Sequence, residues 1–133
     1  MVLVALVNNK IIYIKMSLLQ KATNTKKVWA FSLKRGLLQD ILKCYDSDFI
    51  FKGTRNKKPT TDKYDLSKYF KTFSKEVKDI TFFKNNIVLS RNNMVFDTGR
   101  YNFKLHEETI KAQYFMVFDS KGKIIIHYST FYD

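Results

Sequence analysis

The chain of 133 residues is 45% hydrophobic and holds one cysteine, which fits one domain with its own core and excludes an internal disulfide. Its formal net charge of +12 arises from 20 Lys and only 4 Arg, spread along the whole chain. Because arginine makes bidentate contacts to phosphates and bases better than lysine does, we interpret this charge as a solvated surface and predict no nucleic-acid partner.

The first residues do not have the pattern of a membrane or export signal. Residues 2–7 are apolar, but this run is far shorter than the roughly 20 residues that span a bilayer. Lys10 comes after it, whereas a secretory signal places positive charge before its apolar run. We therefore predict no membrane partner, an extension over 1–15 that is disordered or adds a strand, and one domain over 16–133. The lone cysteine favours a reducing compartment, so we expect the cytoplasm, or the stroma or matrix of an organelle.

Three helices are predicted in the first part of the chain. Ser17 can cap the first, and Gly36 can end it in the left-handed conformation. The second has one apolar stripe. In the third, which Asp65 can cap, apolar residues recur at i, i+3, i+4 and i+7. The predicted ranges are 17–34, 37–45 and 65–75 for the helices, 49–51 for a short strand and 52–64 for a polar loop.

Beyond the third helix the hydrophobic period changes to that of strands rich in Val, Ile, Phe, Tyr and Thr. Helices followed by an antiparallel meander indicate an α+β domain, with helices packed on one face of a curved sheet. Such a sheet forms a cone, whose mouth is a natural pocket. Gly99 lies inside one strand and indicates a bend, or a point where two short strands meet. The predicted strands are 80–83, 87–90, 94–105, 109–119 and 123–132.

The last hairpin supplies the candidate site. Its turn, Asp119–Gly122, fits a three-residue loop with a glycine bulge. Strand alternation then places His127 and Ser129 on one face, which mixes apolar and hydrogen-bonding groups as a small polar ligand would require. A histidine that is merely hydrogen-bonded within the sheet is the structural alternative. The predicted pairs are Asp119 with Lys123, Phe115 with His127, and Gln113 with Ser129.

Metal, cofactor and thiol chemistry have little support. The soft or borderline ligands His106, His127 and Cys44 show no two- to four-residue ligand spacing, so we predict no metal and no cofactor. Cys44 lies in an apolar stripe, which favours a buried, inert thiol. Asp97 and Asp119 are too far apart in the chain to be argued as a catalytic pair of carboxylates.

Short motifs spread over residues 26–130 occur in an order that resembles the SnoaL-like, nuclear-transport-factor-like superfamily. Within it, the chain is most similar to domains related to the association domain of calcium/calmodulin-dependent protein kinase II. The final motif, His127–Thr130, falls on the family's terminal His-His-Ser-Ser. The motifs are Trp29–Phe31, Tyr45–Phe49, Gly53–Thr54, Tyr69–Phe73, Thr98–Phe103, Lys111–Tyr114 and His127–Thr130.

The resemblance implies a cystatin-like cone, in which N-terminal helices pack on a strongly bent, mostly antiparallel sheet, and a homodimer or larger homo-oligomer. One branch with that terminal motif resembles the iota class of carbonic anhydrases, some of which work without metal. The resemblance implies catalytic roles for His127, Ser129, Tyr69 and Thr54. The chain departs from that branch at the second histidine, which is Tyr128, and at the second serine, which is Thr130.

Three functions are therefore open. The first is a homodimeric protein whose conical pocket binds a small, possibly anionic molecule; the second is a metal-independent carbonic anhydrase-like lyase, or another enzyme with a positioned base. The third is an oligomerisation or protein-interaction module that uses the exposed aromatic residues near the end of the chain. Residues predicted to contact the ligand are Gln113, Phe115, Arg100, Tyr101 and Tyr128.

Overall fold

The structure, a computed structural model, describes residues 2–132, without the side chains of residues 2–5, 7 and 11–15. Helices pack on one face of a curved, mostly antiparallel six-stranded sheet, which confirms the predicted α+β cone. In chain order the elements are β1 (Val2–Val7), β2 (Lys10–Lys15), α1 (Leu18–Arg35), α2 (Leu38–Lys43), β3 (Tyr45–Lys52), α3 (Lys63–Glu76), β4 (Asp79–Phe82), β5 (Ile87–Arg91), β6 (Met94–Lys104), β7 (Thr109–Phe118) and β8 (Ile124–Phe131).

The first two strands pair with each other in a separate two-stranded antiparallel sheet. Asn8 and Asn9 connect them with φ angles of 49° and 63°, as a tight hairpin turn requires. The segment predicted as an extension is therefore a hairpin within the described residues, while the domain boundary at residue 16 stays a prediction.

The caps of the two long helices follow from local sequence. The Ser17 hydroxyl accepts the Gln20 N–H at 3.2 Å and the Gln20 side chain accepts the Ser17 N–H at 2.9 Å, so α1 begins with a complete capping box. Gly36 ends it at φ 67°, as predicted. The predicted cap of α3 is wrong: Asp62, not Asp65, accepts the Tyr64 N–H. Because residues 63–65 are exposed, the apolar period could not show that the helix already includes them.

The second helix is shorter, and the following strand longer, than predicted. Helix α2 ends at Lys43, and Tyr45 already belongs to β3. The predicted break at residues 46–48 is instead an irregular stretch of the strand, where its register against β8 shifts. A bulge of this kind tolerates polar residues because its backbone does not pair regularly.

The strand order of the main sheet is β3-β8-β7-β6-β4, with β5 pairing with the other half of β6. Strands β3 and β8 run parallel, and the other pairs are antiparallel. Gly99 lies inside one continuous strand, β6, between the stretch that pairs with β5 and the stretch that pairs with β4. A Cβ there would lie 2.7 Å from Cβ of Asn86, so the close approach of the β4–β5 connection requires glycine.

The predicted register of the last hairpin is wrong by one residue. The N–H of Asp119 does bond to the Lys123 carbonyl at 2.8 Å, but the β7–β8 register shifts between Val117 and Phe118. Ile125 is the extra residue of this bulge, since its two neighbours pair with successive residues of β7. The observed pairs are Met116 with His127, Phe115 with Tyr128, Tyr114 with Ser129, and Gln113 with Thr130.

The core between the helices and the sheet is dominated by aromatic rings. Trp29 of α1 lies near its centre, 1% exposed, against rings from α3 and from the inner face of the sheet. No helix in the described part of the chain is both long and apolar enough to cross a membrane.

Candidate functional site

The four residues predicted as catalytic lie together around one internal cavity of about 10 Å³, called the inner cavity below. That volume holds about one water molecule. The inner cavity lies inside the cone, between α1, α3 and the inner face of β3, β6 and β8. It is lined by Trp29, Phe51, Gly53, Thr54, Tyr69, Phe70, Phe73, Tyr101, Phe103, His127 and Ser129.

His127 of β8 is held by hydrogen bonds on both ring nitrogens. The Tyr45 hydroxyl lies 2.7 Å from Nδ1 and the Tyr101 hydroxyl 3.0 Å from Nε2. A neutral imidazole has one donor and one acceptor nitrogen, so one tyrosine donates to the ring and the other accepts from it. Burial lowers the pKa of His127 from 6.5 to about 3, so the ring is neutral at physiological pH. The geometry is that of a hydrogen-bonded core histidine rather than of a free general base.

Thr54 and Ser129 form the second polar pair. Their hydroxyl oxygens are 2.6 Å apart, and both residues are buried. The parallel pairing of β3 with β8 sets Phe51 beside His127, so the residues that follow β3 arrive beside Ser129. Burial raises the pKa of Tyr101 far above its usual range, with the nearby Ser129 hydroxyl acting in the opposite direction, so this phenol stays a hydrogen-bond donor.

Tyr69 of α3 lies across the backbone of Gly53. A methyl group on Gly53 would lie 2.3 Å from Cζ of Tyr69, so this glycine is required by space and not by its φ angle. Burial raises the pKa of Tyr69, and the backbone N–H of Arg55 acts in the opposite direction.

Of the residues predicted to contact a ligand, Tyr101 alone lines the inner cavity. The register explains this, because Phe115 pairs with Tyr128 and with Thr98, and Gln113 with Thr130 and Arg100. Paired residues share a face of the sheet, and this is the face away from the helices. The guanidinium of Arg100 lies 3.6 Å from the ring centre of Tyr132.

Two residues of the site were missed by sequence reasoning. The apolar spacing placed Tyr45 in the second helix and the family-like motif placed it at the entry into a strand, as observed, but neither predicted its contact with His127. Trp29 was assigned only to the core. Among the side chains that the structure describes, the indole N–H of Trp29 is the one buried polar group without a hydrogen-bond partner. Such a group in a native core is explained by an ordered water, a ligand or a strained contact.

A second buried polar cluster joins α1 to β6 and β7. The Lys26 ammonium lies 2.7 Å from Asp97 Oδ2 and 2.7 Å from the Tyr114 hydroxyl. Tyr114 and Asn86 each donate to Asp97 Oδ1 at 2.9 Å. None of these four residues lines the inner cavity, and their mutual satisfaction is that of a structural network.

The thiol and metal predictions can be compared with the described residues. Cys44 is buried, and burial raises its pKa to about 12, so the thiol stays protonated at neutral pH. Within the described part of the chain, His, Cys, Asp and Glu side chains do not form a group of three or more that could hold a metal ion.

The burial of His127 predicts a pH-dependent stability. The unfolded chain takes a proton on this residue below about pH 6.5, while the folded chain resists it down to about pH 3. As the pH is lowered from about 6.5 to about 3, the free energy of unfolding should therefore decrease, by up to about 1.4 kcal/mol per pH unit. Urea unfolding at a series of pH values measures it. His127→Gln should remove this slope and His106→Gln should keep it; parallel curves for all three proteins would contradict the assignment.

No protein-family model matches the chain, and no curated protein matches it. Solved structures do. A protein from Xanthomonas campestris, named as a calcium/calmodulin-dependent protein kinase II association domain, is 20% identical with a TM-score of 0.68, covering 85% of this chain and 86% of that one. An NTF2-like protein of unknown function from Shewanella oneidensis is 17% identical with a TM-score of 0.67, covering 83% and 96%. A steroid delta-isomerase from Pseudomonas aeruginosa is 17% identical with a TM-score of 0.63, covering 85% and 80%. The protein therefore has the cone fold that these structures share, which is the fold that the resemblance seen in its sequence implied.

Proposed function

We propose that this protein is a homodimer that binds a small oxyanion, of the size of bicarbonate or formate, at the inner cavity. The observation that carries the proposal is the convergence of Thr54, Ser129, Tyr101 and Tyr69 on one cavity in an otherwise aromatic core. Thr54 and Ser129 bond to each other and Tyr101 bonds to His127, but in a pair of hydroxyls only one hydrogen is used between the two oxygens, so the other stays available to a ligand. An oxyanion would accept a hydrogen bond from that free hydroxyl hydrogen and from the Tyr69 phenol.

The electrostatics of the inner cavity favour a small anion over a cation. Among the described residues, no acidic side chain lines it, so an anion meets no negative charge. The net charge of +12 also favours the approach of anions. The volume of about 10 Å³ limits the ligand, since anything larger than a water molecule requires a lining side chain to move.

The binding proposal is tested with a matched pair of variants on β8. Ser129 faces the cavity, whereas the next residue, Thr130, is exposed on the other face. We expect Ser129→Ala to weaken formate and bicarbonate binding by about tenfold or more, because a hydrogen bond to a charged group is worth about 1.5–3 kcal/mol. Thr130→Ala should bind as the wild type does. Fluorescence titration of Trp29, the single tryptophan, measures both.

The same proposal fails if the wild type binds neither anion at millimolar concentration, or if both variants bind equally. Ser129→Ala leaves the Thr54 hydroxyl without its partner, so its fold is checked by circular dichroism. Stopped-flow hydration of carbon dioxide, with and without chelator, tests the lyase alternative. A chelator-insensitive rate that Ser129→Ala abolishes would add catalysis to binding, and a rate equal to the buffer blank would dismiss it.

The homodimer part of the proposal is supported by the outer face of the sheet, which carries exposed apolar side chains on adjacent strands. Ile50, Phe115 and Tyr128 are each 36–40% exposed and are linked through β3, β8 and β7. Contiguous exposed apolar surface on a sheet is typical of an interface. The same face would serve the interaction-module alternative.

We expect sedimentation velocity to show a dimer at micromolar concentration, and Phe115→Glu to shift it to monomer by placing a charge in the interface. Phe83→Glu is the control, since Phe83 has a similar exposed fraction of 41% but follows β4 at the other edge of the sheet. A wild-type monomer, or equal dissociation of both variants, would rule out this interface.

A further inference from the structure

Two spaces of very different size meet at Tyr69. The first is the inner cavity. The second is a surface cleft of about 510 Å³, called the outer cleft, between α3 and the loop that joins it to β3. Tyr69 and Phe73 line both spaces. The side chain of Tyr69 therefore forms part of the wall that separates the inner cavity from solvent.

The position of Tyr69 depends on ring packing and on the absence of a side chain at Gly53. Its ring centre lies 5.0 Å from that of Phe51, 5.2 Å from Phe70 and 5.5 Å from Phe73. Added Cβ at Gly53 would lie 2.3–2.5 Å from the end of the phenol. The described hydrogen bonds give the Tyr69 side chain no side-chain partner, so movement of the phenol towards the cleft requires the loss of ring packing and of contacts with the backbone N–H groups of Thr54 and Arg55 only.

The outer cleft is predominantly basic. Lys58, Lys68 and Arg55 line it, against the single carboxylate of Asp65. Arg55 is paired with Glu76 at 2.6 Å, whereas the described salt bridges include neither lysine. A concave surface of one charge sign raises the local concentration of the opposite ion.

We propose that the outer cleft is the entrance to the inner cavity and that Tyr69 is the residue that closes it, so that small anions reach the Thr54–Ser129 pair by this route. The identity of the ligand rests on the proposed function, whereas the route of entry can be tested without it. Closure by an aromatic ring makes Tyr69 a determinant of ligand size, since any ligand larger than a water molecule must displace a side chain that lines the inner cavity.

Trp29 reports on this route directly. It is the single tryptophan, it is 1% exposed and it lines the inner cavity, so collisional quenching of its fluorescence measures entry of a small molecule. We expect acrylamide quenching to be several-fold stronger in Tyr69→Ala than in the wild type. Tyr64→Ala is the matched control, because Tyr64 lies on the same helix with 72% of its surface exposed. Tyr69→Phe keeps the ring and should quench as the wild type does.

Ionic quenchers test the charge of the route. In Tyr69→Ala, iodide should quench Trp29 more strongly than caesium does, and Lys58→Glu with Lys68→Glu should reverse that order. If Tyr69→Ala does not fold, Gly53→Ala replaces it, since the added methyl group displaces the phenol in an otherwise complete chain. Folding is checked by circular dichroism.

Equal acrylamide quenching in the wild type and in a folded Tyr69→Ala or Gly53→Ala would overturn the route, as would stronger quenching by caesium than by iodide. These outcomes are separate from the binding test. If quenching increases in Tyr69→Ala but the wild type binds neither formate nor bicarbonate, the entry route is retained and the proposed ligand is rejected. If anion binding depends on Ser129 but the Tyr69 variants do not change quenching, the ligand is retained and the route is rejected.

Discussion

Replacing His127 with alanine should destabilise the protein by about 4 kcal/mol, a large part of the roughly 5–15 kcal/mol that a domain of this size has. The change removes a ring packed at 5.4 Å from both Trp29 and Phe51. It also leaves the hydroxyls of Tyr45 and Tyr101 buried without their shared partner, each at a cost of about 1–3 kcal/mol. Urea unfolding measures the loss.

His106→Ala is the matched control, since the chain has only two histidines and His106 is exposed. Its stability should be unchanged. A second comparison separates the effect of lost side-chain volume from that of lost hydrogen bonds. The triple variant His127→Phe, Tyr45→Phe, Tyr101→Phe keeps three aromatic rings and removes both tyrosine hydroxyls. That triple variant should be more stable than His127→Ala. Equal stability of the two histidine-to-alanine variants would mean that the two tyrosine contacts do not hold the core.

Replacing Asp97 with alanine should destabilise the protein by about 3–5 kcal/mol, because it leaves the Lys26 ammonium largely buried without a counter-charge. The side chains of the pair are only 16% and 7% exposed. Tyr114 and Asn86 lose their acceptor at the same time. The unfolding midpoint in urea and the melting temperature should fall together.

Asp79→Ala provides the comparison on the surface. Asp79 faces Lys34 at 3.3 Å, and about half of each side chain is exposed. Solvent-exposed pairs contribute little, so this variant should melt with the wild type. Asp97→Asn should lie between the two, because the amide keeps an acceptor oxygen for Tyr114 and loses the charge that Lys26 needs. If Asp97→Ala were as stable as Asp79→Ala, the buried network would contribute nothing to the fold.

The parts of the fold that the sequence predicted correctly depend on local signals. Ser17 and Gly36 bound the first helix through short-range hydrogen bonds, and the apolar period of α3 identifies its buried face. Each of these depends on residues a few positions apart, so each could be read without knowledge of the tertiary structure.

The errors in strand register and in the assignment of residues to the site arise where pairing between distant strands determines the structure. Residues 124–126 are three isoleucines in a row, so the sequence contains no mark of the bulge at Ile125 that shifts the register. That shift placed Phe115 and Gln113 beside outward-facing partners. The parallel contact of β3 with β8, which brings Tyr45 to His127, joins residues 82 positions apart.

The candidate site was predictable as a set of residues but not as a volume. The family-like motifs placed His127, Ser129, Thr54 and Tyr69 together, and all four line one cavity. The size of about 10 Å³ depends on how the rings of Trp29, Phe51, Phe70 and their neighbours interlock. Packing of this kind is a property of the whole core, so no motif could report it.

The parallel pairing of β3 with β8 also has a consequence for how the chain folds. The Thr54–Ser129 hydrogen bond closes a loop of 75 residues, and the Tyr45–His127 bond one of 82. Loop closure of this length is slow relative to helix and hairpin formation, so the helices and the β6–β7 and β7–β8 hairpins should form first. Until β3 pairs with β8, both strands present an unpaired edge, and self-association during folding is expected at that stage. The cavity residues are thus assembled by the same late step that protects the sheet from aggregation.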